Sequence, residues 1–330
     1  MNEKILITLA TGKTGYAATV ELLQAGYSVR IYVRSRNVRA LELEKLGAEI
    51  ALGEFDNYEQ FKEAMTGVKR VYYCYPIMSR MPQNVQMFVQ AAQEIGIEAV
   101  IFMGQRIAEF ADTGSVMTND TRTAYRIFEG SGLNVVYFIP GYFADNLFVT
   151  TEFVLQLGLM ASPFGMGKNP WISNGDMGRV VAALLKNPTP YIGQRLFPTG
   201  PKSIDTNEVA AIFSRVSGRK VQVVNSPDWM FLKAGLTLGK ELGFNAFAII
   251  QANLYNQQMR LNRFDIEPTD VVQQLTGREA EDFEMITRQY FSASPYRKRT
   301  FLAWFSAVKK FMAIPFTPLP SRQQIDALNQ

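Results

Sequence analysis

Residues 4–15 read Lys4-Ile5-Leu6-Ile7-Thr8-Leu9-Ala10-Thr11-Gly12-Lys13-Thr14-Gly15. The first six form a short apolar run, which predicts a buried strand over 4–9. A turn follows, and a helical pattern runs from Tyr16 to Gln24 until Gly26 stops it. Leu9, Gly12 and Gly15 stand at the three glycine positions of a dinucleotide-binding turn. Gly12 lets a backbone approach a pyrophosphate, and Gly15 lets the helix pack on the sheet. The helix N-terminus offers free N–H groups and the positive end of its dipole. Leu9 replaces the glycine that eases such a turn, and leucine at positive φ is an outlier. The turn is therefore either built differently or holds its ligand less tightly. Gly12-Lys13-Thr14 also ends like a P-loop, but that loop needs glycine where Ile7 stands, which argues against a nucleotide hydrolase.

Outward from this turn the chain alternates. Strands are predicted at 28–33, 49–52, 71–74, 99–103 and 134–139, with helices at 38–46, 58–66, 83–94 and 119–130. Such alternation implies βαβ units and an α/β doubly wound parallel sheet, with ligand sites at the carboxyl ends of its strands. The second half changes character. Helices are predicted at 151–160 and 176–186, and short strands near 195–198 and 220–224 flank a helix at 205–217. From 229 on the pattern is helical: 229–242, 244–262, 268–275, 279–291 and 300–312. The domain change is placed near 150, giving a cofactor domain over 1–150 and a smaller, mostly helical domain over 151–330 with a helical tail from about 240. Residues 1–150 hold 14 basic and 16 acidic side chains; residues 151–330 hold 20 and 14.

Composition narrows the chemistry. The chain has 330 residues, 47% apolar, with a formal charge of +4, one cysteine and no histidine. One cysteine, Cys74, excludes internal disulfides and Cys₄ zinc sites, and it ends an apolar run where an inert buried thiol is expected. Without histidine there is no Ser-His-Asp or Cys-His catalysis and no imidazole-ligated metal, so no metal cofactor is expected. The mild charge lacks the footprint of a nucleic-acid binder. Met1-Asn2-Glu3-Lys4 leads straight into the first strand without a targeting signal, and no run reaches the ~18 apolar residues of a spanning helix. The expected location is the cytoplasm.

The end of the second strand bears on the cofactor. An NAD site carries an acid there for the ribose hydroxyls, whereas an NADP site accommodates the 2′-phosphate with arginine. Here the residues are Arg34-Ser35-Arg36, with no acid until Glu42. Guanidinium and hydroxyl groups suit a phosphate, which predicts NADP(H) over NAD(H); the alternative is a pair of solvated loop arginines.

A wider set of landmarks then falls in order: Ala10 to Gly15, Val33-Arg34, Gly53-Glu54-Phe55-Asp56, Ser131-Gly132-Leu133, Pro140-Gly141-Tyr142-Phe143-Ala144-Asp145-Asn146, Asp176-Met177-Gly178 and Thr199-Gly200-Pro201. Through these, residues 4–225 resemble the NmrA-like family of atypical short-chain dehydrogenases/reductases. The resemblance implies a Rossmann domain that binds NADP(H), a smaller C-terminal domain and a cleft between them. It implies either reductases of quinones, azo dyes and triphenylmethane dyes, or redox sensors that bind nucleotide without turnover. It places Glu54, where the family commonly has aspartate, near the adenine, and Phe55 and Pro140 in its cofactor landmarks. It also implies that Tyr75-Pro76 and Met103-Gly104 line the dinucleotide.

The resemblance does not supply a catalytic pair. Dehydrogenase relatives place a serine near Gly104 and a Tyr-x-x-x-Lys pair on the helix before the sixth strand. Tyr58-x-x-x-Lys62 matches the spacing on the wrong helix, a coincidence. The helix before strand six carries Thr121, Arg122, Tyr125 and Arg126 but no lysine. Tyr125 is the one weak proton-donor candidate, and otherwise it packs at the cleft edge. Phe143, Asn146 and Phe148 lie at the mouth of the expected cleft, where aromatics either stack on a planar substrate or on the nicotinamide, as expected of Phe143 in the cofactor site, or form inter-domain core. Asp176 precedes a helix and is expected to cap it.

The tail is the second informative region. Residues 285–325 contain Arg288, Arg297, Lys298, Arg299, Lys309, Lys310 and Arg322 and no acid. At helical spacing Phe301, Trp304, Phe305, Val308, Phe311 and Met312 share a face. Such a helix lies on an anionic membrane through 297–312, or it packs against the C-terminal domain or another subunit. Two functions stand from these residues: an NADPH-dependent reductase of a small planar acceptor, or a non-catalytic NADP(H) sensor that acts through a regulatory protein partner.

Overall fold

The computed structural model describes residues 3–110, 113–242, 245–319 and 321; Arg322 of the basic tail lies outside them. The first half runs β1 (Lys4–Thr8), α1 (Lys13–Gln24), β2 (Ser28–Val33), α2 (Val38–Lys45), β3 (Glu49–Leu52), α3 (Tyr58–Met65), β4 (Val68–Tyr73), α4 (Met81–Ile95), β5 (Ala99–Met103), α5 (Val116–Gly130) and β6 (Val135–Phe138). A 3₁₀ segment, Ala144–Thr150, leads into α6 (Thr151–Leu157), β7 (Leu159–Ser162), α7 (Asn174–Lys186), β8 (Arg195–Leu196), α8 (Thr206–Ser217) and β9 (Gln222–Asn225). The rest is helical: α9 (Asp228–Leu242), α10 (Ala246–Arg260), α11 (Val271–Thr276), α12 (Phe283–Ala293) and α13 (Phe301–Ala313).

The main sheet has seven parallel strands in the order β3-β2-β1-β4-β5-β6-β8. Its inner strands are buried on both faces, which is why they read as continuous apolar runs. One face packs Tyr32, Tyr73 and Phe102 against Phe61 of α3, Phe88 of α4 and Phe128 of α5. The other packs Ile5, Ile7, Ile31 and Tyr72 against α1, α2 and α7. Helices on both faces make the sheet doubly wound, a Rossmann-like α/β fold. Strand order reverses between β1 and β4, so a crevice opens at the carboxyl ends of those two strands.

The structure departs from the expected elements after residue 150. The predicted helix over 151–160 ends at Leu157, because Gly158 turns left-handed (φ +71°). Residues 159–162 instead form β7, which pairs in parallel with β9 as a separate two-stranded sheet. The main sheet also draws on residues beyond 150. β8 adds its seventh strand beside β6, and α7 lies along α1. A Cβ on Gly178 would collide with Ala17, so this glycine sets how closely those two helices approach. Ser173 caps α7 by accepting the Asp176 amide. Asp176, expected to be the cap, is fully buried one turn in, where it pairs with Arg179 and accepts the Glu281 amide at 2.8 Å.

Candidate functional site

The crevice is built on Thr8, the last residue of β1. Its hydroxyl accepts the Cys74 amide at 2.8 Å and shares its own proton between the Tyr72 and Cys74 carbonyls. This ties the ends of β1 and β4 together where the strand order reverses. Leu9 then adopts the left-handed conformation (φ +51°) that its position demands, and its carbonyl accepts the Gly12 amide at 2.9 Å. The turn is thus of the glycine type, made with leucine. A Cβ on Gly15 would stand 2.5 Å from the Leu9 carbonyl oxygen, so α1 reaches the turn only because residue 15 has none. Ala10 is buried beneath the turn and Thr14 bonds the Tyr72 hydroxyl at 3.1 Å. Gly12 starts α1 without a side-chain cap, which leaves the first-turn amides open to an anion.

Two cations flank this anion-ready end. Lys13 pairs with Asp145 and lies 3.4 Å from the Asn146 side-chain oxygen, linking α1 to the segment after β6. Arg39 of α2 donates to the Thr11 carbonyl at 3.0 Å. No sequence motif pointed to Arg39, because its partner is 28 positions away on another element.

A cavity of about 100 Å³ opens beside the turn. Leu9 and Thr11 line one side, Arg34, Ser35 and Asn37 the end of β2, and Phe55 and Pro76 the far wall. The two arginines of this stretch differ. Arg36 is paired with Glu44 of α2, whereas Arg34 makes no ion pair among the described residues. Glu54 is exposed, and its carbonyl accepts the Tyr32 hydroxyl at 2.8 Å. Phe55 is buried edge-on against Tyr75 (5.4 Å). Tyr75 is itself buried; its hydroxyl donates to the Ser79 carbonyl and accepts from Asn84, and burial pushes its pKa up to about 12. Ile77 and Met78 are exposed on the loop after β4, two apolar side chains that sequence reasoning did not single out.

At the end of β5, Met103 is half-buried and Gly104 donates its amide to Phe138 at 2.8 Å. A Cβ on Gly104 would run into the Tyr125 hydroxyl. Tyr125 is 3% exposed; its hydroxyl accepts the Gln105 amide at 3.0 Å, and the Arg195 guanidinium lies 4.6 Å over its ring. Burial raises its pKa. Of its two readings, proton donor and packing residue, the geometry fits packing. The phenol also fills the space that a side chain on residue 104 would need. Cys74 is buried and its thiol is pushed up to about 12 by that burial. Tyr58 and Lys62 lie on α3, away from the crevice, and Lys62 pairs with Glu94.

After β6 the chain is held by Asn169, which is fully buried. It accepts the Tyr142 amide at 3.3 Å and donates to the Tyr142 carbonyl at 2.9 Å, fixing Pro140, Gly141 and Tyr142. Phe143 follows, half-buried, bridged to Ile172. Phe143 and Asn146 thus stand at the edge of the crevice beside Lys13. Phe148 does not: it is 7% exposed and stacked on Tyr290 of α12 at 4.1 Å and 7°. Of its two readings, cleft and core, its burial fits core: the 3₁₀ turn carries it into the cluster with Phe213, Phe283 and Phe291.

α10 roofs the carboxyl ends of β5 and β6. Gln251 accepts the Ser115 hydroxyl at 2.8 Å, Gln258 donates to the Thr113 carbonyl at 3.3 Å, and Asn256 accepts the Tyr142 hydroxyl at 2.7 Å. Tyr255 sits 5.9 Å from the Tyr142 ring.

Comparison with known proteins agrees with this layout. The model of the NmrA-like family matches residues 1–283. An NAD(P)H azoreductase of Xenophilus azovorans is 27% identical over 223 residues, 67% of this chain and 76% of that one. The fold is shared with an NADPH-dependent quinone oxidoreductase of Escherichia coli solved with NADPH (TM-score 0.73, 17% identity, 87% of this chain and 99% of that one). It is shared equally with NmrA, a negative transcriptional regulator (TM-score 0.69, 18% identity, 88% and 95%).

Proposed function

The chain belongs to the NmrA-like family, and from that premise we propose that it is an NADPH-dependent reductase of a planar, electron-poor acceptor such as a quinone or an azo dye. The observation that carries the reading is Arg34, a guanidinium with no ion pair among the described residues, on the cavity beside an uncapped, glycine-built helix start. The residues present fit a phosphorylated dinucleotide. The first-turn amides from Lys13 onward would take the pyrophosphate, and Arg34 and Ser35 the 2′-phosphate. Glu54, Phe55 and Pro76 would border the adenosine end, and Met103, Pro140, Phe143 and Asn146 the nicotinamide end. When bound, the cofactor supplies the hydride.

The protein's own part is placement. Lys13, held by Asp145, locks the segment that carries Asn146 and Phe143 against the turn. Phe143 offers a ring face to a flat acceptor, and α10 screens the carboxyl ends of β5 and β6 from water. No Tyr-x-x-x-Lys pair is needed, since water protonates a reduced quinone oxygen. That disfavours alcohol dehydrogenation more than quinone reduction.

A second reading, a non-catalytic NADP(H) sensor signalling through a regulatory protein, is favoured by Tyr125, which fills the serine position without offering a free hydroxyl. A steady-state panel of quinones, azo dyes and triphenylmethane dyes with NADPH separates the two. Acceptor-dependent oxidation supports the reductase, whereas tight NADPH binding with no oxidation supports the sensor.

A further inference from the structure

α13 has two unlike faces. Ala307, Phe311 and Ile314 turn inward onto α6 and α9, where Phe311 meets Phe153 edge-on at 5.7 Å and Lys310 pairs with Glu152 at 3.0 Å. The opposite face holds Phe301, Leu302, Trp304, Phe305 and Met312, which are 42% to 78% exposed. Of the stripe, Val308 and Phe311 are part-buried within the chain, whereas Phe301, Trp304, Phe305 and Met312 are exposed, which leaves that part to a membrane or another subunit. The Phe301 ring lies against Trp304 and Phe305 at 6.1 and 6.3 Å, so the exposed rings form one ridge. Phe316, in the turn after α13, is 82% exposed.

The exposed charges nearest this ridge in sequence are basic. Arg297, Lys298 and Arg299 are exposed just before α13, and Lys309 is exposed on it. Residues 285–325 contain no acid. At the far end α9 adds Trp229, half-exposed, with Lys233 lying 5.9 Å from its ring and donating to the Pro315 carbonyl. No helix among the described residues is long and apolar enough to cross a membrane.

We propose that α13 is a membrane-docking element that lays its aromatic ridge into the interface of an anionic bilayer, with Arg297 to Arg299 and Lys309 at the headgroups. The chemistry on both sides matches. Exposed Trp, Phe and Leu insert at the headgroup boundary, and flanking Lys and Arg are drawn to acidic lipid. An apolar patch of this kind rimmed by polar groups marks an interaction surface. A second copy of the chain fits less well, because a two-fold contact on this face would set its cations against themselves. The inference does not depend on what reaction the crevice performs.

The test is flotation of the full chain with phosphatidylcholine vesicles that contain or lack phosphatidylserine. The chain is expected to float with the anionic vesicles only, with a blue shift of tryptophan emission, and to be released at about 0.5 M salt. Two exposed-site variants, Leu302→Ser with Phe305→Ser, and Arg297→Gln with Lys298→Gln and Arg299→Gln, should each weaken binding about tenfold or more while melting like the parent. Absence of flotation at low salt, or flotation unchanged in either variant, overturns the proposal. So does light scattering that shows a dimer which the Leu302→Ser, Phe305→Ser variant converts to monomer.

Discussion

The Tyr125 hydroxyl fills the space into which a side chain on residue 104 would grow. Gly104→Ala should therefore cost about 1–3 kcal/mol, an overpacking effect. Pairing it with Tyr125→Ala should cost less than the two single changes added together, because the second change vacates the clash. Urea unfolding of the three variants reads this directly.

The same geometry predicts that Tyr125 is dispensable for chemistry. Tyr125→Phe should lose about 1 kcal/mol of stability, since the Gln105 amide loses its acceptor. Turnover with a quinone should stay within about threefold, far from the ~100-fold a proton donor contributes. Parallel urea and steady-state measurements check both halves.

Leu9 is left-handed at φ +51°, so alanine and glycine should exchange their usual order there. Both substitutions remove the leucine side chain, but only glycine removes the backbone strain. Leu9→Gly should be about 1 kcal/mol more stable than Leu9→Ala in urea, the reverse of a helix interior.

Arg34 and Arg36 should separate in cofactor titrations. Arg34→Ala should weaken NADPH binding by about 10- to 100-fold and leave NADH nearly unchanged, the loss of a charge-assisted contact to a phosphate. Arg36→Ala should have a smaller effect, because Glu44 already holds that side chain.

Glu94 supplies a pH dependence with a definite sign. Its carboxylate is pulled from 4.5 down to about 2, first by the Lys62 ammonium, then by Tyr58 and Gln90. A lowered folded-state pKa stabilises the protein above pH 4.5, and that contribution is lost as pH falls toward 2. Relative to the parent, Glu94→Gln should show a flatter fall in melting temperature across this window.

Much of the fold was legible because the decisive signals are local. β2, β3 and β5 occupy the residues expected, since each is a short, largely apolar segment bounded by glycine or polar turn residues. β7 was not legible. Leu159 to Ser162 continue the pattern of α6, and only pairing with residues 222–225 makes them a strand. α1 begins at Lys13 rather than Tyr16 because its first turn faces the ligand end and carries no apolar period. The site divides in the same way. The glycine turn and Arg34 announce themselves by spacing, whereas Arg39 to Thr11, Lys13 to Asp145 and Asn169 to Tyr142 are contacts between distant elements. Phe148 and Phe143 look alike in sequence, and only the 3₁₀ turn between them sends one to the core.

The proposed reductase passes a hydride to an acceptor held beside Phe143 and Asn146. A single-turnover experiment tests this most directly: protein loaded with NADPH is mixed with a quinone, and the nicotinamide absorbance is followed. The expected result is a decay whose rate rises with quinone concentration and falls about tenfold or more in Phe143→Ala or Asn146→Ala. NADPH that stays bound and unoxidised, whatever the acceptor, would contradict the reductase reading and leave the sensor in its place.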